Sequence, residues 1–204
     1  MLLTFECEDV NSRCCFECKR WILSSIDDCR VLIIPWTTSD LEKELYYRGL
    51  LDDYFRDLGA IRVLFLDRSD SLFNIREKFG SVNVIYLPGG DPFILLREIR
   101  KRNVDSFISD FNGVIIGNSA GALILSKYFI SGGDFSRICE GLGLVDFCLI
   151  VHYVDEWFNR ILPLSYEFNV VALTDCSSIV IENGTIVRVW GRALKFRYGN
   201  YSYL

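Results

Sequence analysis

Five short, nearly unbroken apolar runs punctuate the first part of the chain: Leu2–Phe5, Val31–Trp36, Ile61–Leu66, Val82–Leu87 and Val114–Gly117. Runs without polar alternation suit strands covered on both faces, as in a parallel sheet, rather than hairpins with one face in water. The stretches between them have helical period. Over residues 40–58, Leu41, Leu45, Leu51, Tyr54, Phe55 and Leu58 fall largely on one helical face, with Asp40 at the N-cap position and Gly59 at the exit. Ser71–Phe79 and Phe93–Phe111 read as helices on the same grounds. Strands alternating with helices across short loops imply right-handed crossovers. The expected fold class is therefore α/β: three layers, with a mostly parallel central sheet and helices on both faces, flavodoxin-like in plan.

The last third reads differently. Leu142–His152 is a strand region, Glu156–Glu167 a helix and Val170–Leu173 a strand. Ile179–Glu182 and Thr185–Val189 flank Asn183-Gly184, the pair that a two-residue type I′ turn demands, so a C-terminal antiparallel hairpin is expected. Phe196–Tyr203 finishes an antiparallel edge. No linker, repeat or shift in composition divides the sequence, so residues 1–204 are expected to form one domain.

Half of the 204 residues are apolar and 24% are charged, enough for a packed core and incompatible with a disordered chain. The net charge is −5 and the longest basic run is Arg100-Lys101-Arg102, which argues against nucleic acid or an anionic membrane surface as partner. The apolar runs fall far short of the roughly 18 residues of a membrane span. Glu6, Glu8 and Asp9 follow the first short run, a poor match to a secretory signal, so a cytoplasmic location is expected. In that compartment the eight cysteines are expected to be free thiols, with an intracellular disulfide of the kind hyperthermophiles make as the alternative. Cys15-Phe-Glu-Cys18 has the C-x-x-C form, with Cys7 and Cys14 nearby, but no second pair follows at zinc-site spacing. Buried apolar thiols on a short helix are the plainer reading, and no metal is expected.

The chemistry concentrates at Val114-Ile-Ile-Gly-Asn-Ser-Ala-Gly-Ala122, an apolar strand that runs through Gly117-x-Ser119-x-Gly121 into a helix. This strand–turn–helix setting is what a nucleophile elbow requires: small residues permit the tight turn, and the turn raises Ser119 above the sheet. A serine hydroxyl needs a base to take its proton. The chain has one histidine, His152, at the end of the apolar run Leu149–Val151, where a strand's carboxyl edge would meet Ser119. A third residue should accept from the far imidazole nitrogen, and Asp134 and Asp175 compete for that place. The order Ser…Asp…His is that of α/β-hydrolases, whereas Ser…His…Asp belongs to another fold.

Leu87-Pro-Gly-Gly-Asp-Pro-Phe-Ile-Leu-Leu96, Gly117-Asn-Ser-Ala-Gly-Ala122, Val151-His-Tyr153 and Ala172-Leu-Thr-Asp-Cys-Ser-Ser-Ile-Val-Ile-Glu-Asn-Gly184 occur in that order. Together they resemble the peptidase E family, the aspartyl dipeptidase and cyanophycinase-like serine peptidases, over roughly residues 30–191. The resemblance implies a class I glutamine amidotransferase-like fold, with Ser119 as nucleophile, His152 as base and Asp175 as the third member, where aspartyl dipeptidase has Glu. It implies an oxyanion hole from Ala120 and the Gly89-Gly90 turn, here Gly90. Asp134 falls at the spacing of another acidic residue of that dipeptidase, which implies a supporting or substrate-amine role. Family members commonly carry Asn where this chain has Asp91. As the N-cap before Pro92, Asp91 would direct its charge at helix amides instead. Aspartyl dipeptidases present an arginine from the segment after the histidine. Here that segment is Tyr153–Arg160, and Arg160 is either that group or a solvated helix charge.

The expectation from sequence is a serine exopeptidase, dipeptidase-like, that hydrolyses short peptides through an acyl-enzyme without metal or organic cofactor. Its partner is the peptide substrate, and a homodimer stays open. The alternatives are an esterase or amidase of α/β-hydrolase type that uses Asp134, and a non-catalytic amidotransferase-like binding domain. Glutaminase chemistry is disfavoured because the elbow carries Ser in place of Cys.

Overall fold

A computed structural model describes residues 2–7 and 16–204, with side chains from residue 19 onward. In chain order the elements are β1 (Leu2–Cys7), α1 (Phe16–Ser24), β2 (Arg30–Ile33), α2 (Leu41–Asp57), β3 (Arg62–Phe65), α3 (Leu72–Gly80), β4 (Val84–Leu87), α4 (Pro92–Lys101), α5 (Asp105–Ser109) and β5 (Val114–Asn118). There follow α6 (Ala120–Leu125), β6 (Ser126–Ile130), β7 (Cys139–Glu140), β8 (Val145–Ile150), a 3-10 turn (Asp155–Trp157), α7 (Phe158–Leu164), β9 (Val170–Leu173), β10 (Ser177–Glu182), β11 (Thr185–Trp190), β12 (Ala193–Arg197) and β13 (Asn200–Tyr203). No helix among the described residues is long and apolar enough to cross a membrane.

The first sheet runs β11-β10-β1-β5-β4-β2-β3, with β1, β5, β4, β2 and β3 parallel and the β10–β11 hairpin antiparallel at one edge. Its strands are covered on both sides, and successive residues show it. Leu32, Ile85 and Ile115 join a cluster with Ile75 and Phe79 of α3, Leu95 and Ile99 of α4 and Ile108 of α5. Val31, Ile33, Val84, Tyr86 and Ile116 point the other way, onto Leu23 of α1 and Leu51 and Phe55 of α2. Period-two alternation between two apolar layers is why these strands read as continuous apolar runs. The chain is thus a three-layer α/β fold, with helices on both faces of a mostly parallel sheet.

The position of the loops follows from strand order. From β2 the chain leaves toward β3, while from β4 it leaves the opposite way toward β5. Adjacent parallel strands whose connections part in opposite directions leave a crevice beyond their carboxyl ends, which is where ligands bind in open α/β sheets.

Three local expectations are amended. The strand at Val31–Trp36 stops at Ile33, because Pro35 has no N–H for the ladder; Trp36 is still buried, and its indole donates to Leu66 O at 3.1 Å. The single helix over Phe93–Phe111 is two helices, broken where Asn103 turns to φ 53°, a conformation that Asn tolerates at a helix end. After α6 only β10 and β11 extend the first sheet; the other strands form a second one, β13-β12-β9-β8-β6-β7. Its Phe129, Leu149 and Val171 share the α4–α6 cluster, and its Ile150, Ala172 and Phe196 pack under Ile161 of α7. The Asn183-Gly184 turn is as expected, with φ of 49° and 78°.

Candidate active site

The elbow after β5 is built by close packing. A Cβ on Gly121 would lie 2.0 Å from Leu87 O, so only glycine lets α6 approach β4 this closely. The turn forces Ser119 to φ 47°, ψ −103°, a sparsely populated conformation for any residue with a side chain. Two further residues at the site share positive φ, His152 at 57° and Cys176 at 59°. Strain therefore gathers at three loops that follow β5, β8 and β9.

Those loops bring three of the expected side chains together. Ser119 Oγ lies 3.0 Å from His152 Nε2, and His152 Nδ1 lies 2.5 Å from Asp175 Oδ1. An ionised carboxylate can only accept, so Nδ1 carries the ring proton and Nε2 is left to accept from the serine hydroxyl. His152 and Asp175 are exposed, while Ser119 is half-buried. The loop that carries Asp175 is fastened from behind. The Arg192 N–H donates to Ser177 Oγ at 2.9 Å, the Thr174 N–H donates to Arg192 O at 3.2 Å, and Thr174 Oγ1 lies 2.8 Å from Ser177 Oγ.

Asp134 is held elsewhere. Its Oδ1 accepts from the Ser136 hydroxyl at 2.6 Å and the Ser136 N–H at 3.1 Å, and these bonds hold its carboxyl below the usual range. Arg160 stacks on Phe135, 4.5 Å from the ring centroid, and reaches toward Gly133 O at 3.4 Å. Neither Asp134 nor Arg160 lines the cavity at Ser119.

That cavity has a volume of about 750 Å³ and opens between the loops after β2 and β4, with Ser119 and His152 in its wall. Gly89 and Gly90 line it beside the serine. A Cβ on Gly89 would sit 3.6 Å from Ser119 Cβ. Gly90 has φ 135°, and a Cβ there would fall 2.7 Å from Thr37 Cβ, so the position admits only glycine. The amides of Gly89 and Gly90 donate to no acceptor among the described residues. Ala120 opens α6, where a helix leaves its N–H unpaired. Asp91 caps α4: Oδ1 accepts from the Phe93 and Ile94 amides at 2.8 and 3.0 Å, which turns its charge toward the helix.

The cavity also shows what sequence reasoning passed over. Thr37, Lys43, Glu44, Tyr47, Asn118 and Ser131 line it as well. The Thr37-Thr38-Ser39-Asp40 segment at a strand's carboxyl edge is the one signal that pointed there.

The cysteines divide. Cys29, Cys139 and Cys148 are free, and burial raises the Cys29 thiol to about 11 and the Cys148 thiol to about 12. Cys176 is disulfide-bonded, against the expectation of free thiols throughout: compartment chemistry predicts an average, whereas pairing depends on which thiols the fold brings together. Cys14 and Cys15, and the side chains of Cys7 and Cys18, lie outside the described residues.

Comparison with known proteins shows what the chain is similar to. The sequence model of peptidase family S51 matches residues 8–196. An uncharacterized peptidase of Listeria innocua is 30% identical over 149 residues, covering 68% of this chain and 71% of that protein. Among solved structures, a peptidase from an acI-B1 actinobacterium superposes with a TM-score of 0.76 at 19% identity, covering 100% of this chain and 93% of the other. A protein described as a peptidase E, from Listeria monocytogenes, gives a TM-score of 0.71 at 21% identity, covering 93% and 97%. The two structures support the fold, and the family match supports the chemistry. The chain belongs to peptidase family S51, the peptidase E family, and is a serine peptidase, a hydrolase acting on peptide bonds.

Proposed function

We propose that the chain is a dipeptidase-like serine exopeptidase that cleaves short peptides through a Ser119–His152–Asp175 triad and an acyl-enzyme. Ser119 Oγ attacks the scissile carbonyl as its proton passes to His152 Nε2. The resulting oxyanion is received by the amides of Gly90 and Ala120. Collapse of the tetrahedral adduct breaks the C–N bond, and the imidazolium returns the proton to the leaving amine. Water then repeats the sequence on the ester, with His152 again as base, and frees Ser119. Asp175 fixes the tautomer and stabilises the imidazolium.

The observation that carries this reading is the unbroken chain of contacts from Asp175 Oδ1 through His152 to Ser119 Oγ at the wall of the 750 Å³ cavity. A cavity of this size suits a small ligand rather than a long chain. The test is turnover of a panel of dipeptides and tripeptides by the purified protein and by Ser119→Ala. The variant should keep its circular dichroism spectrum and lose turnover. Peptide hydrolysis retained in Ser119→Ala would refute the mechanism.

A further inference from the structure

The turn between β11 and β12 reaches the loops of both His152 and Asp175. Its backbone grips the Asp175 loop. Arg192 O accepts from the Thr174 N–H at 3.2 Å and from the Ser177 hydroxyl at 2.9 Å. The turn also lies tight against the residue after Asp175, since a Cβ on Gly191 would fall 2.6 Å from Cys176 O. The Arg192 side chain goes instead to the segment that follows His152. Its Nη2 and Nη1 donate to Oδ1 and Oδ2 of Asp155 at 2.7 and 3.1 Å, a two-bond fork. Its guanidinium also lies 5.8 Å from the centroid of the Tyr153 ring, which is buried directly beside His152. The fork holds the Asp155 carboxyl below its usual range, so the pair stays charged at neutral pH. Neither Arg192 nor Asp155 lines the cavity at Ser119.

His152 and Asp175 are exposed and follow different strands, so their meeting depends on how the two loops are held against each other. Catalytic geometry tolerates an error of only about 0.5 Å. We infer that Arg192 is a positioning residue for the triad. Its backbone holds the Asp175 loop, its guanidinium holds the His152 loop through Asp155, and the two together set the contact between the Asp175 carboxylate and the imidazole. The inference rests on the triad reading of the site and adds a residue that acts through His152 and Asp175 without touching substrate. An exposed ion pair contributes little to stability, so the loss of this fork should be felt at the imidazole more than in the fold.

The test uses the sole histidine. In protein carrying isotope-labelled histidine, the ring-nitrogen shifts seen by NMR report which nitrogen of His152 holds the proton, with no substrate present. Wild type should show the Nδ1–H tautomer, and Asp175→Ala the mixture of a free imidazole. Arg192→Ala and Asp155→Ala should each move toward that mixture. Arg192→Lys keeps the charge but loses the fork, and should fall between. In a peptide assay, Arg192→Ala should lower kcat by about tenfold and change KM less than about twofold. In the Asp175→Ala background, where no contact is left to set, Arg192→Ala should cost nothing further, an outcome that general loosening of the fold would not give. Ring shifts unchanged in Arg192→Ala, or a loss of kcat that multiplies in full onto that of Asp175→Ala, overturns the inference. Failure of the triad reading would show differently, as hydrolysis retained in Ser119→Ala while the ring shifts still respond to Arg192→Ala.

Discussion

At the scale of the residue, two aspartates competed for the imidazole, with the resemblance on the side of Asp175, and geometry separates them. Asp175 meets His152 Nδ1 at 2.5 Å, whereas both oxygen contacts of Asp134 go to Ser136. Asp175→Ala should therefore lower kcat by about 10⁴-fold, the usual consequence of losing the tautomer-fixing acid, while Asp134→Ala stays close to wild type. A steady-state assay of the two variants side by side checks this, and the reverse ranking would reassign the third position. Ser119 and His152 were legible before any coordinates, because a G-x-S-x-G turn between an apolar strand and a helix has a local signature and a sole histidine has no rival. Asp175 was less legible: its place after the strand Val170–Leu173 made it a candidate beside Asp134 in its Ser-Gly-Gly turn, and the resemblance preferred it. Lys43 left no such trace: it occupies an ordinary first turn of an amphipathic helix, and only the placement of α2 across the loops after β2 and β4 gives it a cavity to line.

At the scale of the element, the strand-to-loop junctions do the positioning. The turn after β9 holds Asp175 in place through buried Ser177, whose hydroxyl accepts the Arg192 amide. Ser177→Ala leaves that amide without its partner, at a cost of about 1–3 kcal/mol in stability. It should also lower kcat severalfold with KM nearly unchanged, because Ser177 is a positioning residue that touches no substrate. A fall in stability with kcat intact would reduce it to a purely structural part. The parallel strands and the Asn183-Gly184 hairpin were readable from sequence because apolar runs and turn chemistry are local. The second sheet was not. Residues 126–130 read Ser-Lys-Tyr-Phe-Ile directly after a six-residue helix, and only docking onto β8 makes them a strand.

At the scale of the whole molecule, a charge network ties α2, the loop after β3, α3 and α4 behind the cavity. Arg48 and Lys78 contact Asp67 at 2.7 and 3.1 Å, Arg102 pairs with Glu98, and the Arg68 guanidinium donates to Thr38 O at 2.8 Å. Burial alone pushes the Asp67 carboxyl up, but hydrogen bonds from Arg48 and Lys78 outweigh it and hold it below its ordinary value; Glu98 is likewise held low by Arg102 against its burial. Above the unfolded values of about 4 both states are ionised and the contribution is complete. Below that, the unfolded chain takes up protons first and stability is lost. Urea midpoints should hold steady from neutral pH to about pH 5 and fall below about pH 4. Asp67→Asn should show a shallower acid slope, and identical slopes would remove this network from the cause. The site itself is a whole-molecule product, since Ser119 follows a strand of the first sheet while His152 and Asp175 follow strands of the second. Reaction with a fluorophosphonate, mapped by mass spectrometry, tests that convergence most directly. A single adduct on Ser119 is expected in the native protein, with a large loss of labelling rate in His152→Ala. An unlabelled Ser119, or one that reacts as fast without the imidazole, would contradict it.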